Sequence, residues 1–155
     1  MGNTEKQGGG LWSKLLFGLV GLLLLLAAAA SYGSTLLWPP INDVTTGATD
    51  EYPKLTAQVF SASPTETHAA VLKAIGAIDR MRVVSEDEDK GLIEVESDTP
   101  RGTFTDDVTI HVEHGGDGGS RVVIRSRSRV GELDFGQNAR NIKEIQAALE
   151  KELER

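Results

Sequence analysis

The sequence predicts an α+β domain, an antiparallel sheet of four to five strands with two helices on one face, preceded by one N-terminal membrane helix. Three observations predict this class. A charge-free apolar block lies near the amino terminus, alternating residues mark four consecutive strand segments, and helical periodicity occurs before and after those strands. Consecutive strands with short links pair antiparallel, so helices at both ends of the set can cover one face.

The apolar block Leu15–Ala30 contains no charged residue and is flanked by Trp12 and Trp38. As a helix at ~1.5 Å per residue, the segment between the tryptophans is about 40 Å long, more than the ~30 Å hydrocarbon layer of a bilayer. Tryptophan is favoured at both membrane interfaces. Because lysines precede the block and acidic residues follow it, the positive-inside rule assigns residues 1–10 to the cytoplasm and residues 11–38 to a transmembrane anchor.

A cleaved signal peptide is the alternative interpretation of this block. Leu15–Leu26 fits the apolar region of a signal, and Ala28–Ala30 fits a small-residue cleavage pattern. The apolar sequence continues through Leu36–Trp38, beyond such a cut, which favours the retained anchor. Both interpretations export the domain. We therefore expect a single-pass protein of the cell membrane whose domain lies on the periplasmic or extracellular side.

The exported part carries 14 Lys and Arg against 22 Asp and Glu, because Glu5, Lys6 and Lys14 are the charged residues that precede residue 31. A nucleic-acid-binding domain carries a basic patch, so the acidic charge and the export signal both argue against nucleic acid as a partner. The chain contains no cysteine, which excludes disulfide and thiolate chemistry. Its length suffices for one domain with a modest core.

The first part of the exported chain is predicted to be a tether over residues 39–54, since it is rich in Pro, Gly, Thr and Asp. The α+β domain is assigned to residues 55–155. Leu55–Phe60 fits a short first strand. Ser63–Glu66 is a capping box with proline at the first helical position, so a helix begins there. The apolar stripe of this helix is Val71, Ile75 and Ile78.

Four strands follow the helix. The first two are Met81–Glu86 and Leu92–Asp98, which an acidic turn separates. The next two, Thr103–Glu113 and Arg121–Val130, are alternating runs joined by a glycine-rich loop, the pattern of a hairpin. A last helix begins at Asp134, which is a favoured N-cap residue. Its apolar stripe is Ile142, Ile145, Leu149 and Leu153.

The last strand places four arginines on one face, because side chains alternate along a strand. We call this set the arginine face: Arg121, Arg125, Arg127 and Arg129. If Glu113 lies opposite Arg121, the register that keeps the apolar residues together places Asp107 opposite Arg127. Glu94 and Glu96 on the preceding strand can share the face. Two interpretations stay open, a solvated ladder of ion pairs and a site that binds phosphate or carboxylate through planar guanidinium groups.

Three segments of the exported part form a specific combination. They are Pro39–Thr46, Thr103–Val108 with its paired aspartates, and Ser120–Gly131, followed by Asp134, Gly136, Asn138 and Ala139. In this combination they resemble the domain-of-unknown-function family 1499 of bacterial and plastid proteins, over about Pro39 to Leu149. The family has no settled activity, so the resemblance identifies the domain and implies no function.

Asn138 lies on the apolar stripe of the last helix, where a buried amide needs hydrogen-bond partners. One interpretation is a structural hydrogen bond to loop backbone near Asp43 or Asp106, and the other is a ligand-facing group at the amino end of the helix. His68 continues the stripe of the first domain helix, and it fits a core or rim histidine better than a metal or substrate ligand. The candidate ligand-binding set is Arg125, Arg127, Arg129, Asp107, Asn138 and Asp43.

No metal site, cofactor or catalytic residue is predicted. His111, Glu113 and His114 cluster, but without the helical spacing of a zinc motif. The acidic turn Asp87–Leu92 lacks the glycine that a calcium loop requires at its sixth position. No nucleophile and base have a spacing that supports their pairing.

The favoured function is therefore a membrane-anchored binding or structural module, with an envelope protein or an anionic or lipid-like ligand as its partner. The alternative is a hydrolase-type enzyme that uses Asp43, Asp106 and the arginines at 125, 127 and 129. A carboxylate with a raised pKa beside the arginines would favour the enzyme. A fully paired arginine face would favour the binding or structural role. The sequence does not indicate an oligomeric state.

Overall fold

The computed structural model describes residues 9–100 and 102–153, and the chain divides into two compact units, Met1–Trp38 and Pro39–Arg155. Helix α1 of the first unit spans Gly9–Leu37 and includes Trp12–Ala30, a stretch long and apolar enough to cross a bilayer. A membrane anchor and a signal sequence share these properties. Most of the predicted cytoplasmic segment, residues 1–8, lies outside the described part.

The second unit contains one antiparallel sheet and two helices, which confirms the α+β class. Its strands are β1 Asp43–Thr45, β2 Gln58–Phe60, β3 Met81–Asp87, β4 Leu92–Asp98, β5 Thr105–His114 and β6 Ser120–Ser128. The helices are α2 Pro64–Gly76 and α3 Gln137–Leu153. The strand order is β1-β6-β5-β4-β3, and β2 also pairs with β6. The β5–β6 turn contains one turn of 3₁₀ helix at Gly116–Gly118.

The predicted tether is wrong for part of its length. Asp43–Thr45 forms strand β1, and Val44 is completely buried in the core. Thr46 extends the contact with β6, because its N–H donates to Ile124 O at 3.0 Å and its hydroxyl accepts from Ile124 N at 3.1 Å. Three residues are too few for an alternating pattern to appear in the sequence. The folded unit therefore begins at Pro39 instead of residue 55.

The predicted register of the β5–β6 hairpin is confirmed. Glu113 lies opposite Arg121, Asp107 opposite Arg127 and Thr109 opposite Arg125. The apolar residues of both strands consequently point to the other side of the sheet, where α2 and α3 cover them. The buried core includes residues from β1, β3, β4, β5, β6 and both helices, among them Val44, Val71, Ile75, Met81, Ile93, Ile110, Ile124, Ile142 and Ile145.

The capping box of α2 is formed as predicted. Glu66 N donates to Ser63 Oγ at 3.3 Å, and Ser63 N donates to Glu66 Oε2 at 2.9 Å. His68 on this helix is 3% exposed, with Nε2 2.7 Å from Glu86 Oε2, as expected for a core histidine.

Helix α3 begins at Gln137, three residues after the predicted start. Phe135 and Gly136 have φ of 51° and 75°, and this left-handed backbone cannot continue a helix. Asp134 lies three residues before the helix but still caps it, since its carboxylate accepts hydrogen bonds from Gly136 N and Asn138 N, both at 2.7 Å.

Candidate functional site

The sheet face opposite the helices carries the arginine face together with carboxylates from neighbouring strands. Arg125 is held by Asp43 of β1, with Nε 2.9 Å from Oδ1 and Nη2 2.5 Å from Oδ2. This two-point contact between planar groups is the strongest geometry for such a pair. Strand β1 is therefore part of the site, because it brings Asp43 beside β6.

Arg129 is held from the other side of β6. Its Nε donates to Asp107 Oδ1 at 2.8 Å, and its Nη2 contacts both Asp107 and Glu96. Glu96 also pairs with Arg82 of β3 at 2.5 Å. Arg82 reaches Asp98 at 3.0 Å. A continuous chain of ion pairs thus crosses β6, β5, β4 and β3.

Arg127 differs from its two neighbours. Its side chain is 61% exposed, and its nearest carboxylate is Asp43, whose Oδ2 lies 4.0 Å from Nε. Asp107 lies opposite Arg127 in the backbone register, yet its carboxylate contacts Arg129. The ion pair expected between Asp107 and Arg127 is therefore replaced by a diagonal pair, which the long arginine side chain can span.

The carboxylates of this face are stabilised in their charged form. The Arg125 guanidinium beside Asp43 holds the pKa of that carboxyl below its ordinary value. Hydrogen bonding from Arg129 lowers the pKa of Glu96 in the same way. The pKa of Asp98 is lowered first by the hydroxyl of Thr105 and then by Arg82. A general acid at neutral pH needs a raised pKa, so these three groups are unsuited to that role.

The face carries charges of both signs in similar numbers. Among the described residues its strands present five arginines, Arg82, Arg121, Arg125, Arg127 and Arg129, and seven carboxylates, Asp43, Asp87, Glu94, Glu96, Asp98, Asp107 and Glu113. Arg121 pairs with Glu113 at 2.7 Å. A cleft of about 390 Å³ lies over the centre of this array. The cleft is therefore lined by charged side chains of both signs. Among the described residues, its arginines do not form a cluster without carboxylates.

Asn138, the remaining candidate residue, lies on the helix side of the sheet and is completely buried. Its Nδ2 donates to Asn42 O at 3.0 Å and to Ser128 Oγ at 2.9 Å, and its Oδ1 accepts from Ser126 Oγ at 2.6 Å. The predicted hydrogen bond to loop backbone near Asp43 is thus present. The structure places Asn138 on the other side of the sheet from the five charged candidates.

Asn141 is the buried polar residue that sequence reasoning missed. Its Nδ2 donates to Asp106 Oδ2 at 2.9 Å and to Ser126 Oγ at 3.1 Å. Its Oδ1 accepts from Arg80 at 2.9 Å and from Gln137 at 2.8 Å. All four hydrogen-bonding positions of the amide are used. Its position one turn after Asn138 on the same helix was the available signal.

Asp106 lies beneath the sheet and is 2% exposed. The two carboxylates of the hydrolase alternative, Asp43 and Asp106, are consequently on opposite faces. The described residues contain no group of three His, Cys, Asp or Glu side chains that could hold a metal ion.

The fold is an α+β domain that follows an apolar amino-terminal helix. One side of its sheet carries the ion-paired arginine face, and the other side holds the buried amides of Asn138 and Asn141. The chain belongs to the family described as Protein of unknown function (DUF1499), which it matches over residues 35–149. The resemblance drawn from the sequence motifs is thereby confirmed. No curated protein matches the chain.

Several solved structures are similar in fold. TTHA0849 from Thermus thermophilus is 14% identical with a TM-score of 0.43, covering 72% of this chain and 96% of its own. Ara h 8.0201 is 12% identical with a TM-score of 0.46, covering 73% and 98%. CV1439 from Chromobacterium violaceum is 12% identical with a TM-score of 0.42, covering 74% and 99%.

Proposed function

We propose that this protein is a single-pass membrane protein whose extracytoplasmic domain binds another protein of the envelope through the arginine face and is not an enzyme. The apolar length of α1 supports the anchor. The lysines before the apolar block and the acidic residues after it support the orientation.

The observation that carries the binding role is the internal pairing of the arginine face. Asp43 occupies the planar edge of Arg125, and Asp107 occupies that of Arg129. A small anion would have to displace these carboxylates, which stay close because neighbouring strands supply them. A protein surface can instead match an ordered array of both charges, and such complementarity gives specificity. The geometry therefore favours a protein over an anionic ligand.

The enzyme alternative has less support. Its two carboxylates lie on opposite sides of the sheet, and the shifted carboxyl pKa values beside the arginines, at Asp43, Glu96 and Asp98, are all lowered. Neither feature provides a proton donor next to the guanidinium groups.

The binding role predicts a position-dependent crosslink. Because the chain has no cysteine, Thr109→Cys places a single thiol for a benzophenone photo-crosslinker in the charged cleft. In native membranes we expect a protein adduct at this position. Adding Arg127→Glu, which reverses the charge of the most exposed guanidinium of the arginine face, should reduce the adduct at least fivefold.

Two comparisons control this experiment. Lys143→Cys carries the same label on the exposed side of α3 and should give no such adduct. Lys151→Glu makes the same charge reversal on α3 and should leave the Thr109→Cys adduct unchanged. Equal labelling from both cysteines, or an adduct insensitive to Arg127→Glu, would refute docking through this face.

A further inference from the structure

Exposed apolar side chains gather around a second cleft, on the loops at one end of the sheet. Four of them, which we call the apolar rim, line this cleft of about 760 Å³: Phe104, Val130, Leu133 and Phe135. They come from the β4–β5 loop and the β6–α3 loop, and three of the four are more than half exposed. An apolar patch bordered by polar residues marks a surface that contacts a partner or a membrane.

The rim lies beside the point at which the chain enters the domain. Asp134 N donates to Ile41 O at 3.3 Å, and Asn42 Nδ2 donates to Gly131 O. Ile41 and Asn42 are the third and fourth residues of the domain unit, and the apolar helix α1 precedes them in the sequence. When α1 is inserted in a bilayer, the covalent chain keeps this entry point near the membrane surface.

The backbone of Phe135 is an independent indication. Its φ of 51° lies in the left-handed region, which is unfavourable for a bulky residue. Glycine adopts this region without cost, and the neighbouring Gly131 and Gly136 do so. The Phe135 side chain is 55% exposed, so core packing does not account for its presence. Strain at an exposed residue points to a functional requirement.

The net charge of the domain indicates which kind of membrane surface the apolar rim can contact. The exported part is strongly acidic, with 14 basic against 22 acidic residues, and the charged residues that line the cleft are Asp106, Asp134 and Arg140. An anionic lipid surface would therefore be repelled. Phenylalanine and leucine side chains gain by burial in the interface of a zwitterionic bilayer, whose net charge is zero.

We propose that the apolar rim inserts into the interface of the zwitterionic bilayer that α1 spans, and that it holds the domain against the membrane. This inference rests on the membrane anchoring of the proposed function. It adds a second contact with the membrane and assigns a role to the strained Phe135. The arginine face is a different surface of the domain, and it remains available to a protein partner.

A single-tryptophan reporter tests the insertion in the full chain. The chain has two tryptophans, so Trp12→Phe and Trp38→Phe give a background without any. In that background Phe135→Trp reports on the rim. In phosphatidylcholine vesicles with bromines at the 6,7 positions of an acyl chain, we expect at least twofold quenching relative to unbrominated lipid. Bromines at the 11,12 positions should quench less, because insertion is shallow.

Val59→Trp in the same background is the matched control. Val59 is 69% exposed and lies opposite Arg121, near the other end of β6 from the rim. It should be quenched by less than a fifth. Phe104→Trp is a second reporter on the rim, and it should behave like Phe135→Trp if the variant at 135 proves unfolded by circular dichroism.

The possible results separate the two proposals. A chain that does not float with the vesicles contradicts the anchor and with it the proposed function. A chain that floats, but whose Phe135→Trp and Phe104→Trp reporters are both unquenched, contradicts the rim inference alone. Equal quenching at Val59→Trp also overturns it, because the contact would not be confined to the rim. Replacing half of the lipid with phosphatidylglycerol should weaken the quenching, and an increase would contradict the assignment to zwitterionic lipid.

Discussion

Replacing Asn141 with leucine should lower the free energy of unfolding by about 3–4 kcal/mol. The amide is completely buried and makes four hydrogen bonds, two to Asp106 and Ser126 of the sheet, one to Arg80 before β3 and one to Gln137 of its own helix. Leucine has a similar volume but no polar atom, so Asp106, which is 2% exposed, loses its hydrogen bond from Asn141. Arg80 and Gln137 lose an acceptor at the same time. Urea denaturation of the detergent-solubilised chain, followed by circular dichroism, measures the change.

Lys143→Leu is the control for this substitution, since it places the same side chain two residues further along on the exposed side of α3. It should change the free energy of unfolding by less than about 0.5 kcal/mol. A loss of similar size in both variants would mean that the buried amide network contributes little.

Asn138→Ala should lower the free energy of unfolding by about 2–3 kcal/mol, through lost hydrogen bonds and a small cavity. Asn138 joins the hydroxyls of Ser126 and Ser128 to the backbone of Asn42. It therefore fastens the residues that lead into β1 to the last helix. The same urea denaturation measures the effect.

This second result also bears on the candidate site. If Asn138 contacted a ligand instead, Asn138→Ala would leave stability within about 0.5 kcal/mol of the parent. The arginine-face crosslink from Thr109→Cys should survive in the folded Asn138→Ala protein, because the two positions lie on opposite sides of the sheet.

Patterns that repeat along the chain could be predicted from the sequence. The alternation of β5 and β6 gave the register of Asp107, Thr109 and Glu113 because a slip of one residue would bury the arginines. The capping box gave the start of α2 because its two side chains satisfy each other locally. In both cases the residues that interact belong to one hairpin or to one helical turn.

Features that depend on distant residues could not be predicted in this way. Strand β1 is three residues long, and its pairing with β6 joins positions about eighty residues apart. Asp107 pairs with Arg129 and not with Arg127, which lies opposite it. The direction of the long arginine side chains decides this, and the backbone register does not fix that direction. The left-handed backbone at Phe135 moved the start of α3 beyond the predicted N-cap, and the amino acid gave no sign of it.

The measurement that tests the membrane-anchored, exported domain most directly is cysteine accessibility. The chain has no cysteine, so Gln7→Cys and Lys73→Cys each provide one label, before the apolar helix and on the exposed surface of α2. Intact cells, freed of any outer envelope layer, are treated with a membrane-impermeant maleimide. We expect Lys73→Cys to be labelled without lysis and Gln7→Cys to be labelled after lysis alone, both on a chain of full length. Labelling in the opposite order would contradict the orientation, and loss of the Gln7→Cys segment from the mature chain would contradict the anchor.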